Sequence, residues 1–241
     1  MLIAGNWKLF KTPSQAAGFC RELRQPLGDF SEIEIAVCPP YVSLMSAIEV
    51  LAGSRVAVYS QNVHWAENGA FTGEVSAAML LELGVGGAIV GHSERRQYFG
   101  ETDETTALRA KAALEAGLKV IACVGELEAE RDGGETEAVL ERQMTPIIKE
   151  IGAHERLVIA YEPVWAIGTG KTATPAQAQE AHAFIRGLLD VPILYGGSVK
   201  PSNAGELMGQ PDVDGALVGG ASLEVESFIG ICEAARQTVV G

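Results

Sequence analysis

Eight short apolar runs, spread evenly through 241 residues, constrain this chain more than any other feature. They occupy residues 2–4, 33–37, 56–59, 87–90, 118–124, 157–161, 191–194 and 213–218. Each is of strand length, and none alternates cleanly between apolar and polar. Continuous apolar strands are buried on both faces, as in parallel sheets covered by helices. The segments between them carry helical patterns and start signals. Thr12-Pro13-Ser14-Gln15 offers an N-cap, a first-turn proline and a glutamine three residues after the cap. Thr174-Pro175-Ala176-Gln177 repeats the arrangement ahead of Ala-rich residues 178–189, and residues 102–116 and 135–151 read as amphipathic helices. Eight strand–helix units of about 30 residues match the usual β-α-β step, with right-handed crossovers and a parallel sheet.

Closing eight such units gives a (β/α)8 barrel, and leaving them open gives a doubly wound sheet; periodicity does not choose. No G-x-G-x-x-G follows the first run, which weakens the dinucleotide-binding version of the open sheet. No linker or shift of composition divides the chain, so residues 1–241 are expected to form one domain.

Charge narrows the partners. The formal net charge of −13 argues against nucleic acid and anionic membranes, which want a basic face. An anionic substrate would be repelled at long range and would need local donors. No apolar run approaches the roughly 20 residues of a membrane span. Met1–Lys8 turns polar too soon for a signal peptide. Cys20, Cys38, Cys123 and Cys232 form no C-x-x-C pair, so reduced thiols in a cytoplasmic protein are expected. His64, His92, His154 and His182 share no ligand spacing, so no metal is expected.

Residues 61–74, Q-N-V-H-W-A-E-N-G-A-F-T-G-E, have neither helical nor strand period. Loops this long are uncommon in compact domains unless functional. Trp65 and Phe71 would be costly to leave in water. They either fold back on their own barrel or pack into a second subunit.

Barrel enzymes work at the carboxyl ends of their strands, and polar residues collect there. Asn6 and Lys8 follow the first run; flanking apolar residues suggest a buried cation in search of an anion, although a solvated lysine is the commoner case. After the fourth run, Ser93 suits the N-cap of a short helix with Glu94 in its first turn. His92 then lies at the positive end of that helix, which disfavours imidazolium and keeps the ring neutral. Glu162 ends the sixth run, where desolvation would raise its pKa towards that of a useful general base. Pro163 and then Gly168-Thr169-Gly170 give the following loop a stiff start and a glycine-rich tip, as in a lid. Gly196-Gly197-Ser198 and Gly219-Gly220-Ala221-Ser222 follow runs seven and eight, where barrels often hold phosphate on backbone amides. Such amides bind a dianion without net positive charge.

At these residues the chain resembles the triosephosphate isomerase family from end to end. The matching stretches are G-N-W-K at 5–8, Q-N at 61–62, N-G-A-F-T-G-E at 68–74, G-H-S-E-R-R at 91–96, A-C-V-G-E at 122–126, A-Y-E-P-V-W-A-I-G-T-G-K at 160–171, Y-G-G-S-V at 195–199 and G-A-L-V-G-G-A-S-L at 215–223. The resemblance implies an α/β fold, the single-domain (β/α)8 TIM barrel, and interconversion of dihydroxyacetone phosphate and D-glyceraldehyde 3-phosphate without a cofactor. It implies that Glu162 is the base and His92 the neutral electrophile, the pairing known for the family. Asn6 and Lys8 would contact substrate, with Glu94 partnering the lysine. Residues 163–173 would form the lid and Gly168 would donate its N–H to phosphate. Tyr195 and Ser198 would latch that lid, and Ser198, Gly219 and Gly220 would complete the phosphate cradle. Leu217 would clamp over the base. Thr72 would reach a neighbour's Asn6 and Lys8 in a homodimer formed through residues 62–74. Leu9-Phe10 and residues 63–66 depart from the family's usual residues near that contact.

Two rivals share the fold. A non-catalytic phosphosugar-binding barrel would have shed Glu162, His92 or Lys8, and all three are present. A Schiff-base aldolase needs a desolvated lysine within a strand, and Lys119 opens the fifth run at the wrong end.

Overall fold

A computed structural model describes residues 1–27, 30–168 and 171–240. Eight strands hydrogen-bond in the order β1-β2-β3-β4-β5-β6-β7-β8 and close on themselves. They are β1 (Leu2–Asn6), β2 (Glu34–Cys38), β3 (Val56–Ser60), β4 (Gly87–Val90), β5 (Lys119–Val124), β6 (Leu157–Tyr161), β7 (Ile193–Tyr195) and β8 (Gly215–Val218). Every pairing is parallel; Ile3 stands opposite Ile35 on one side and Ala216 on the other, so β1 joins β2 and β8. The closed barrel is therefore the form the apolar runs take, and the open sheet is not.

Alternate residues of each strand enter two separate cores. Leu2, Ala4, Cys38, Ile121, Cys123 and Leu217 fill the barrel interior. Ile3, Ile35, Val37, Val120 and Val124 face outward, under the helices. Both faces are thus dry, which is why the runs are apolar without alternation.

The helices follow their caps. In α1 (Pro13–Leu27) Thr12 N–H donates to Gln15 Oε1 at 2.9 Å, and the same pairing of Thr174 with Gln177 opens α8 (Pro175–Leu188). Between β4 and β5 lie α4 (Ser93–Phe99) and α5 (Asp103–Ala116), the latter capped by Thr102. Two helices follow β5: α6 (Glu128–Asp132) and α7 (Thr136–Glu150). Shorter or less periodic helices that the sequence did not mark are α2 (Leu44–Leu51), α3 (Ala77–Leu83), α9 (Pro201–Met208) and α10 (Val225–Val240).

Both aromatics of the 61–74 loop gather on His64, which lies 4.4 Å from the Phe71 ring. Trp65 folds back: His64 stacks on it at 4.2 Å and the Arg109 guanidinium lies 4.9 Å above it. Phe71 and Thr72 remain exposed at the tip. Lys119 pairs with Glu34 at the amino-terminal end of the strands, remote from the strand tips. It is half-buried and ion-paired, which removes the desolvated amine an aldolase needs.

Candidate active site

The strand tips bring the sequence candidates into one cleft of about 350 Å³. Asn6, Lys8, His92, Glu162, Gly168, Ser198, Leu217, Gly219 and Gly220 all line it. Glu94 stands behind Lys8 in an adjoining groove; Thr72 and Tyr195 lie outside the cleft lining. Of the expected lid, Thr169 and Gly170 fall outside the described residues.

Lys8 is held in an unusual backbone state, with φ 51° in the left-handed region. Such strain persists only where surrounding contacts over-determine it. Here Lys8 N–H donates to Asn6 Oδ1 at 3.0 Å, Gln61 Nε2 donates to the Lys8 carbonyl at 2.9 Å, and Lys8 Nζ meets Glu94 Oε1 at 2.7 Å. The expected anion is thus Glu94. Gln61, whose amide also reaches the Cys38 carbonyl, is a supporting residue that the sequence showed only as part of a motif.

The cap of α4 differs from the expectation. His92, not Ser93, is the N-cap, and its Nδ1 accepts from Glu94 N–H at 3.2 Å. An imidazole that accepts at Nδ1 carries its proton on Nε2 when neutral. That Nε2 lies 2.9 Å from Glu162 Oε1. The Ser93 N–H donates to Glu162 Oε2 at 2.8 Å. One short turn therefore grips both oxygens of the buried Glu162.

This grip reverses the expected direction of the Glu162 pKa. Burial alone pushes the carboxyl up, as the sequence suggested. His92, the Ser93 amide and Lys8 together outweigh it, and the group lies below its ordinary value. The carboxyl is thus ionised and able to accept a proton, at some cost in basicity. Backbone glycines crowd it from both neighbouring strands. A Cβ on Gly125 would stand 1.7 Å from the Glu162 carbonyl oxygen, and one on Gly196 2.9 Å from Glu162 Cγ.

Glu126 is a residue whose role the sequence did not disclose. It is fully buried, and its Oε1 accepts from Arg131 Nη1 at 3.0 Å, Tyr161 Oη at 3.0 Å and Trp165 Nε1 at 2.9 Å. Its backbone carbonyl also accepts from Val164 N–H at 3.1 Å. The first residues of the expected lid are thereby tied to the loop after β5. Further along, Ser198 Oγ donates to the Ala166 carbonyl at 2.9 Å. Tyr195 is wholly buried at the end of β7; burial pushes its phenol up to about 12, against the pull of the Ala173 amide.

The cleft's far end is lined by backbone. Gly219 precedes a short 3-10 turn, Gly220–Leu223, fixed by Ser222 Oγ donating to the Gly219 carbonyl at 2.7 Å. Among the described residues no group of three or more His, Cys, Asp and Glu is arranged to hold a metal ion.

A buried carboxylate hydrogen-bonded to an imidazole, at the strand tips of a (β/α)8 barrel with a lysine alongside, defines an acid–base enzyme acting on a small molecule. Comparison with known proteins gives the particular family. The triosephosphate isomerase family profile matches residues 1–235. The triosephosphate isomerase of Carboxydothermus hydrogenoformans is 56% identical over 241 residues, which cover 95% of this chain and 96% of that one. Those of Solibacter usitatus and of a Picosynechococcus species are both 52% identical, covering 95% of this chain and 97% and 96% of their own. The chain belongs to the triosephosphate isomerase family and is an isomerase.

Proposed function

We propose that Glu162, His92 and Lys8 carry out the family's reaction, interconversion of dihydroxyacetone phosphate and D-glyceraldehyde 3-phosphate, in this cleft. The observation that carries the assignment of roles is the 2.9 Å approach of His92 Nε2 to Glu162 Oε1, with the Nδ1 side already accepting a backbone N–H. Glu162 takes the proton from the carbon beside the carbonyl. His92 donates its Nε2–H to the carbonyl oxygen, and Lys8 adds positive charge where the enediolate develops. Glu162 then delivers the proton to the adjacent carbon. Asn6 orients substrate and fixes Lys8, and Glu94 holds the ammonium in place. To act, Glu162 must give up part of its bonding to Ser93 N–H and His92, which substrate in the cleft would replace.

The phosphate end is assigned to the amides of Gly168, Ser198, Gly219 and Gly220, supported by their shared position on the cleft wall. Leu217 covers the base from the barrel side. Residues 163–173 act as the lid, with Ser198 and Tyr195 as its latch; the Ser198 bond to Ala166 supports the first of these. The lid keeps water from the enediolate.

The working unit is a homodimer formed through residues 62–74. Leu9 is 93% exposed, and it lines a groove beside Lys8 and His92 together with Phe10, Tyr98 and Phe99. Burying such side chains is worth about 1.5–3 kcal/mol each. A second subunit offering Thr72 of the partner subunit would cover that groove and finish the wall around Lys8. The whole chain, residues 1–241, acts as one domain in the cytoplasm, within glycolysis and gluconeogenesis. No helix among the described residues is long and apolar enough to cross a membrane.

The test is a coupled assay of dihydroxyacetone phosphate consumption with wild-type enzyme and Glu162→Gln. Glu162→Gln keeps the shape and removes the base, so turnover should nearly vanish while a phosphate-bearing competitive inhibitor still binds. Undiminished turnover would sink the assignment. The non-catalytic phosphosugar-binding reading predicts no turnover in either protein.

A further inference from the structure

We propose that Gln143, on α7 and outside the cleft, is a positioning residue for the catalytic carboxylate. The inference rests on the reading of Glu162 as the base.

Gln143 is 5% exposed, a buried amide on an otherwise apolar helix face. Its side chain makes both hydrogen bonds of a backbone partner. Gly125 N–H donates to Gln143 Oε1 at 2.7 Å, and Gln143 Nε2 donates to the Gly125 carbonyl at 3.0 Å. The regular pairing of β5 with β6 ends at Val124 opposite Tyr161, one residue short of the base. Beyond it, Glu162 N–H donates to the Val124 carbonyl at 2.7 Å and Val164 N–H to the Glu126 carbonyl at 3.1 Å. The backbone of the base therefore hangs on the residues before and after Gly125, and Gln143 fixes Gly125 itself.

Gly125 transmits the constraint because nothing lies between it and the base. It is so close that a methyl group would stand 1.7 Å from the Glu162 carbonyl oxygen. A shift of Gly125 must shift Glu162. The same shift would carry Glu126, which ties down Trp165 at the start of the lid. Among the described residues both side-chain hydrogen bonds of Gln143 go to Gly125, so the clamp governs the reacting end of the cleft more than the phosphate end. Satisfying two buried backbone groups also serves the fold. The separation of turnover from binding and from stability distinguishes the two roles.

Gln143→Met keeps the volume and removes both bonds. Ångström-scale misplacement of a catalytic group costs on the order of 10²-fold in rate. The folded Gln143→Met enzyme should therefore lose about that much kcat with little change in KM. Its primary deuterium isotope effect, read with substrate labelled at the carbon that loses its proton, should rise. Wild-type kcat and isotope effect in a folded variant, or a loss confined to KM or to melting temperature, would overturn the proposal. Should Gln143→Met not fold, Gln143→Glu carries the test. The introduced carboxylate still accepts from Gly125 N–H and regains its donor only when protonated. Burial at this position raises the pKa of the introduced carboxyl, so kcat relative to wild type should climb as pH falls from about 8 to about 5.5; a flat ratio, or failure of both variants to fold, would overturn the proposal. Glu162→Gln in the same assay stands apart from these outcomes, since it tests the base and leaves Gln143 untouched.

Discussion

Lowering the pH should destabilise this protein through one histidine remote from the chemistry. His182 lies on α8, fully buried, with its Nδ1 3.0 Å from the Asp212 carbonyl. Donation from Nδ1–H to that carbonyl leaves Nε2 as a bare lone pair, and Nε2 has no partner among the described residues. Protonation would create a buried N–H⁺ with no acceptor between the rings of Tyr161 and Tyr195. Burial accordingly lowers the His182 pKa from 6.5 to about 4, although the Asp212 carbonyl, Asp214 and Asp212 pull it upward; Arg186 pushes it further down. The sign follows. The folded state binds this proton less readily than the unfolded chain does, so stability is complete above pH 6.5 and falls between 6.5 and about 4. At pH 5 the loss is about 2 kcal/mol, and it approaches about 3 kcal/mol once both states are protonated. For a chain of this size that is about 4–8 °C in melting temperature at pH 5. Urea unfolding of wild type and His182→Gln, at fixed protein concentration from pH 7.5 to 4.5, isolates the contribution as the difference between two curves. The variant starts less stable at pH 7.5, and the gap should narrow as pH falls. Parallel curves would refute the argument.

Three further perturbations probe the site. Glu126→Leu removes the acceptor of the buried Tyr161 hydroxyl, at about 1–3 kcal/mol, whereas Glu126→Gln keeps an acceptor and should cost far less; chemical denaturation compares them, and equal losses would contradict the bonding described. Gly125→Ala inserts a Cβ 1.7 Å from the Glu162 carbonyl oxygen and should abolish turnover or folding, so a fully active variant in the coupled assay would show that the contact yields. Thr72→Arg places a charge on the exposed loop tip and, if the proposed dimer forms through it, should shift sedimentation from dimer to monomer with loss of kcat; a stable, active dimer would refute the proposed role of residues 62–74.

The sequence disclosed what burial and chain order determine, and missed what depends on the reach of a side chain across the fold. Runs such as residues 157–161 read as strands because both faces are dry, and β6 spans those same residues. Asn6, Lys8, His92 and Glu162 were visible as polar residues just past apolar runs, since a parallel barrel gathers strand tips at one rim. By residue type Ser93 is the better cap for α4; only the fold shows that His92 Nδ1 reaches Glu94 N–H while Ser93 N–H turns to Glu162. The same turn inverted the pKa argument. Desolvation of Glu162 is legible in an apolar run, but the groups that outweigh it follow β4 and β1, about 70 and more than 150 residues earlier in the chain. Gln143 was invisible for a related reason. In an amphipathic helix a glutamine reads as surface, and nothing local shows that its amide stands in for a missing strand beside Gly125. Long-range hydrogen bonds of this kind fix the final ångström of the catalytic geometry, and rate is most sensitive to that ångström.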